Sequence, residues 1–126
     1  MAAESSPLSI SVAEDGDGVR VVALTGELDF LSASDLGARL SDMRGQTGNA
    51  LVIDVSGLTF IDSTGLNVLV AGVQAIQATS SVVVAGASKH VSRVFEIVRL
   101  DETVRVESTI EDAMRTAREG RAASNP

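Results

Sequence analysis

The chain has 126 residues, 44% of them hydrophobic, which fits one domain with a proper core and excludes a disordered chain. A net charge of −7, a single lysine (Lys89) and an aromatic set limited to Phe30, Phe60 and Phe95 argue against a direct nucleic-acid partner, which needs cations for phosphates and rings for bases. The absence of cysteine removes disulfides, thiolate metal sites and cysteine nucleophiles.

Met1 to Pro7 lack the basic start and apolar core of a signal peptide, so residues 1–7 read as a flexible tail. Leu8-Ser9-Ile10-Ser11-Val12 alternates apolar and polar residues, the pattern of a half-buried strand. Glu14 to Gly18 forms a turn, and Val19 to Leu24 returns as the second strand of an antiparallel hairpin. Gly26 marks a bulge or sharp bend after it. Ser32 or Ser34 is then expected to cap a helix through Leu36, Leu40 and Met43, closed by Gly45 or Gly48.

Leu51-Val52-Ile53-Asp54-Val55 reads as a buried strand. Leu66, Leu69, Val70 and Val73 follow at helical spacing, so a strand-to-helix turn lies between, over Phe60-Ile61-Asp62-Ser63-Thr64-Gly65. Thr79-Ser80-Ser81 ends that helix, and Val82 to Ala85 is an all-apolar, covered strand. A helix near Lys89 to Val98 should bury Val91, Val94, Phe95 and Val98. Val104-Arg105-Val106 is a short edge strand. Ser108-Thr109-Ile110-Glu111 has the form of a capping box that opens a last helix through Ala117, and residues 118–126 read as a second tail. The order ββαβαβαβα implies an α/β domain over residues 8–117, with a mostly parallel mixed sheet and an antiparallel N-terminal edge. No apolar run approaches the ~20 residues that cross a bilayer, so a cytoplasmic protein without membrane insertion is expected.

Catalytic chemistry is scarce. His90 is the only histidine, with no evident nucleophile or orienting acid beside it, and no nucleophile elbow or phosphate-binding glycine loop is present. Asp29, Asp54 and Asp62 could hold magnesium in principle, but Asp54 lies in a strand and Asp62 is better explained as a cap, so neither catalytic residues, metal nor cofactor are expected. Asp62 or Ser63 is, at its simplest, an N-cap. The functional alternative needs little more: Ser63 is a hydroxyl at a helix N-terminus, reachable by another protein's active site, where a phosphoryl group would add ~−1.5 to −2 charges. In sheets of this kind the strands' carboxyl ends gather sites, so Asp29 and Ser63 are expected to be neighbours.

Thr25-Gly26-Glu27-Leu28-Asp29, Leu58-Thr59-Phe60-Ile61-Asp62-Ser63-Thr64-Gly65-Leu66 and Val91-Ser92-Arg93-Val94-Phe95-Glu96 together resemble the STAS domain, in particular the free-standing bacterial anti-sigma factor antagonists. The resemblance spans about Leu8 to Ala117. It implies that the unphosphorylated chain binds an anti-sigma factor with serine kinase activity and so releases a sigma factor. It further implies phosphorylation at Ser63, with Thr64 as the alternative acceptor, and restoration by a serine phosphatase. ATP and magnesium would belong to the kinase. Asp29, Asp62, Ser63, Thr64, Gly65 and Asn67 would lie on the partner-binding face. The other use of such a domain is as a scaffold, or as a cytosolic subunit of a membrane transport or stress-signalling complex. The chain departs from the family pattern at Asn67, where glycine is common, and at Arg99-Leu100, where the loop usually reads Gly-Leu.

Overall fold

The computed structural model describes residues 7–15, 17–44 and 50–123. Strands β1 (Leu8–Glu14) and β2 (Val19–Leu28) form the antiparallel hairpin, with Leu8 opposite Gly26 and Glu14 opposite Arg20. The turn between them is held by Asp15, whose Oδ1 accepts the backbone N–H groups of Asp17 at 2.9 Å and Val19 at 3.0 Å. The Val19 bond foremost, outweighing desolvation and aided by the Asp17 amide and Arg118, lowers the Asp15 carboxyl below its ordinary range.

Next come α1 (Ala33–Met43), β3 (Ala50–Ile61), α2 (Ser63–Gln77), β4 (Val82–Ala85) and α3 (Lys89–Ile97). A 3₁₀ turn (Leu100–Glu102), β5 (Arg105–Glu107) and α4 (Ile110–Ala123) complete the described chain. The five strands lie in sequence order across one sheet, antiparallel between β1 and β2 and parallel from β2 to β5. This is the expected ββαβαβαβα domain.

The central strand shows why the run is apolar on both sides. Leu51, Ile53 and Val55 point into the larger core, with Leu36 and Leu40 of α1, Leu69 and Val73 of α2, and Val91 and Phe95 of α3. Ala50 and Val52 point the other way, against Ala113 and Ala117 of α4. Helices therefore cover both faces, as parallel strands require. Small residues on the second face let α4 sit close.

Several boundaries differ from expectation. β2 and β3 run on past Leu24 and Val55 to Leu28 and Ile61, because each gives the other its hydrogen-bonding edge. The register shifts between Ala23 and Thr25 and again between Gly26 and Glu27, so the bend expected at Gly26 is real. Gly26 has φ of +108°, and a Cβ there would stand 2.0 Å from the Pro7 carbonyl oxygen. Pro7, placed in the tail by sequence, thus touches the sheet through that oxygen, which also accepts the Glu27 N–H at 3.0 Å.

β5 begins at Arg105, since the Val104 N–H bonds back to Leu100 of the 3₁₀ turn at 2.9 Å. Helix α4 is capped by Thr109, whose hydroxyl accepts the Asp112 N–H at 3.1 Å, one residue after the expected Ser108. It also continues to Ala123, so the expected boundary at Ala117 falls inside it. Arg118 anchors its far half with ion pairs to Asp15 at 3.0 Å and Asp17 at 2.9 Å. Gly45 and Gly48, proposed to close α1, lie outside the described residues, as do residues 1–6 and 124–126.

In α3, Val91 and Phe95 are buried, Val94 is half-buried and Val98 is exposed, so the apolar face ends a turn earlier than its spacing suggests. Arg99 takes φ 56° and ψ 47°, the left-handed conformation in which glycine is unstrained.

Candidate functional site

The continued pairing of β2 with β3 brings the two expected loops together. Leu28 lies opposite Ile61, so the turn after β2 and the start of α2 leave the sheet side by side. The Asp62 N–H donates to the Leu28 carbonyl at 3.1 Å, which locks the two ends.

Asp62 is the N-cap of α2 and uses both carboxylate oxygens. Oδ1 accepts the Gly65 N–H at 2.8 Å, satisfying one of the helix's orphan donors. Oδ2 accepts the Phe30 N–H at 2.9 Å, across 32 residues of sequence. The cap therefore also staples the neighbouring loop. Gly65 answers a different need, close approach. A Cβ at this position would lie 2.4 Å from the Leu28 carbonyl oxygen and 2.7 Å from its Cγ. The motif resolves into two structural residues, Asp62 and Gly65, that bracket two exposed ones.

Those two are Ser63 and Thr64. Both are exposed in the first turn of α2, and neither hydroxyl has a hydrogen-bond partner among the described residues. Ser63 thus presents a free hydroxyl at the positive end of a helix dipole. Asn67 is exposed one turn on, at the rim of a groove of about 290 Å³ that Leu66, Val70, Val98 and Leu100 also line.

Asp29 sits in the adjacent loop, but its carboxylate turns inward. Oδ1 accepts the N–H groups of Leu31 at 2.9 Å and Ser32 at 3.0 Å, an Asx turn. The residue that links this loop to the start of α2 is Phe30, through its backbone, so the expected Asp29–Ser63 neighbourhood is one of adjoining loops, with no hydrogen bond between the two side chains among the described residues.

Ser32 was expected only as a cap for α1. Its position is right, since α1 begins at Ala33, but its side chain makes no cap bond. Fully buried, its hydroxyl donates to the Glu27 carbonyl at 2.8 Å and accepts the Asp29 N–H at 2.9 Å, so it builds the loop instead. Sequence reasoning also passed over Phe30 and Leu31, which stand 73% and 72% exposed at the tip of that loop. Two large apolar residues in succession within a turn were the available signal.

The other candidates for metal or acid–base chemistry lie apart among the described residues. Asp54 is occupied by Ser56, whose N–H and hydroxyl donate to its Oδ1 at 2.9 and 2.7 Å. His90 is exposed in the first turn of α3, and no group of three or more His, Cys, Asp or Glu side chains among the described residues could hold a metal ion. No described helix is long and apolar enough to cross a membrane.

Comparison with known proteins fits this geometry. The STAS domain model matches residues 11–113. The anti-sigma-F factor antagonist RsfB of Mycobacterium tuberculosis is 34% identical over 118 residues, covering 93% of this chain and 97% of that protein. The anti-sigma-B factor antagonist of Listeria monocytogenes is 30% identical over 103 residues, covering 80% and 90% respectively. Among solved structures, that of an anti-sigma factor antagonist from Mycobacterium paratuberculosis superposes with a TM-score of 0.81 at 31% identity, covering 90% of this chain and 98% of that one.

Proposed function

The chain belongs to the STAS domain family, and from that premise we propose that it is an anti-sigma factor antagonist switched by phosphorylation of Ser63. Unphosphorylated, it binds an anti-sigma factor that is also a serine kinase, and the sigma factor held by that protein is released. The kinase then transfers the γ-phosphoryl group of ATP to the Ser63 oxygen; the hydroxyl proton is lost and ADP leaves. The modified chain lets go, and a serine phosphatase returns it to the binding form. The chain itself is not an enzyme in this cycle. It supplies a substrate hydroxyl and a docking face around Asp29, Asp62, Thr64 and Asn67, with Gly65 buried beneath that face where it lets the helix start approach β2.

The observation that carries the reading is the bracketed hydroxyl. Asp62 and Gly65 are committed to the fold, while Ser63 is exposed, unbonded and at a helix N-terminus where its own chain tolerates a dianion. Thr64 is the alternative acceptor on the same grounds of exposure.

The test is intact mass of the purified chain after incubation with ATP and lysate of its own cells, followed by peptide mapping. One ATP-dependent phosphoryl group on Ser63 is the expected result. Modification at Thr64 would keep the function and move the site. No modification while a control substrate is phosphorylated would reject the switch and favour a scaffold or transport-complex subunit. Ser63→Ala should bind the anti-sigma factor and stay bound when ATP is added; release at the wild-type rate would remove Ser63 from the switch.

A further inference from the structure

We infer that Phe30 and Leu31 are an apolar contact for the partner, and that Asp62 couples their presentation to the charge carried by Ser63. The inference rests on the phosphorylation reading above and adds to it a contact and a route.

The contact comes first. Phe30 and Leu31 occupy the tip of a turn, where polar residues would satisfy the fold as well, yet both are large, apolar and more than two-thirds exposed. The turn that carries them is rigidly built. The buried Ser32 hydroxyl ties Glu27 to Asp29, and Asp29 Oδ1 gathers the N–H groups of Leu31 and Ser32. A preformed tip of this kind loses little entropy on docking.

Charge decides what it docks into. Residues 25–35 and 58–67 contain no Lys or Arg but carry Glu27, Asp29, Asp35 and Asp62. A second copy of this chain would set carboxylates against carboxylates at such a face. An apolar recess with a basic rim on a different protein suits it.

The route is the Asp62 carboxylate. Oδ1 holds Gly65 in a part-buried bond, while Oδ2 holds Phe30 in an exposed one. Phosphorylated Ser63 would place ~−1.5 to −2 charges on the very next residue, repelling that carboxylate and competing for the N–H groups of the first helical turn. The exposed Oδ2 bond is the one that yields. The tip then loses its tether to α2, and with it the fixed orientation of Phe30 and Leu31 relative to the start of that helix. Switching acts through the loop as well as through the phosphate itself.

The test is amide hydrogen exchange read by NMR on the full chain, with phosphoserine installed at position 63 by amber suppression. The Phe30 amide should exchange about tenfold faster or more than in the unmodified chain, while the Ser32 amide, held inside the turn, keeps its rate. Asp62→Asn in the unmodified chain should reproduce the Phe30 change, because one amide oxygen cannot serve both donors. An unchanged Phe30 rate with phosphoserine present overturns the coupling, and this outcome needs no partner. The contact is tested separately with a Phe30→Ser, Leu31→Ser chain, whose altered side chains are exposed and leave the core intact. Its affinity for the anti-sigma factor should fall tenfold or more, and wild-type affinity would overturn the contact. Should the wild-type chain bind no anti-sigma factor at all, the proposed function fails with the contact, and the exchange result still decides the coupling.

Discussion

Replacing Gly65 with alanine tests why the motif ends in glycine. A Cβ at position 65 would meet the Leu28 carbonyl oxygen at 2.4 Å, Cγ at 2.7 Å and carbonyl carbon at 2.9 Å. Two of those atoms are backbone of a paired strand, and the third belongs to a fully buried side chain, so the start of α2 must retreat. Overpacking of this kind costs ~1–3 kcal/mol. The retreat also stretches the Asp62 N–H bond to the Leu28 carbonyl, now 3.1 Å, a loss of ~1 kcal/mol. Alanine's helix propensity returns at most ~1 kcal/mol.

The net expectation is a destabilisation of about 2 kcal/mol, which lowers the melting temperature of a domain this size by roughly 8 °C. Gly37, in the middle of α1, is the control. A Cβ there meets only Val68 Cγ1 at 3.4 Å, an ordinary contact, so Gly37→Ala should gain ~0.5–1 kcal/mol. Urea unfolding of both variants, followed by circular dichroism, measures the pair. Gly65→Ala as stable as wild type would refute the close-approach argument. Equal losses at both positions would show that some general effect of the substitution, and not local space, governs the result.

Arg99→Gly should raise the urea midpoint by an amount worth about 0.5–1 kcal/mol, since glycine relieves the left-handed conformation at φ 56° while the exposed pair to Glu102 contributes little; a lower midpoint would contradict the strain. Thr109→Ala should cost ~1 kcal/mol in thermal unfolding and Ser108→Ala only a few tenths; the reverse order would return the cap to Ser108. The lowered Asp15 carboxyl stabilises the fold above its unfolded value, and that contribution disappears as pH falls through the folded value. Wild type should therefore exceed Asp15→Asn in stability at pH 7, with the gap closing below about pH 4; a gap unchanged at pH 2 would show that charge is not the cause.

The element order, the helix faces and the strand-to-helix turn at Ser63 were legible in the sequence because each is written in local signals. Alternation over Leu8–Val12, the apolar run at Leu51–Val55, the spacing of Leu66, Leu69 and Val73, and the capping chemistry of Asp62 all act within a few residues. The family motif carried the candidate acceptor in the same way, as adjacent letters.

What those residues do to distant parts of the chain was decided by the tertiary structure. Nothing near Asp62 in sequence says that its second oxygen reaches Phe30, and nothing near Gly65 says that the Leu28 carbonyl crowds it. Both follow from the continued pairing of β2 with β3, whose length depends on a partner edge and not on either strand's own composition. Ser32 shows the same effect: a serine before a helix looks like a cap, but burial gives its hydroxyl better partners across the turn. Helix α4 runs past Ala117 to Ala123, and there Arg118 meets Asp15 across 103 residues of chain, a pairing that no local signal announces. Local free-energy preferences are short-ranged and can be read in order, whereas which donor meets which acceptor across the fold is set only when the sheet closes.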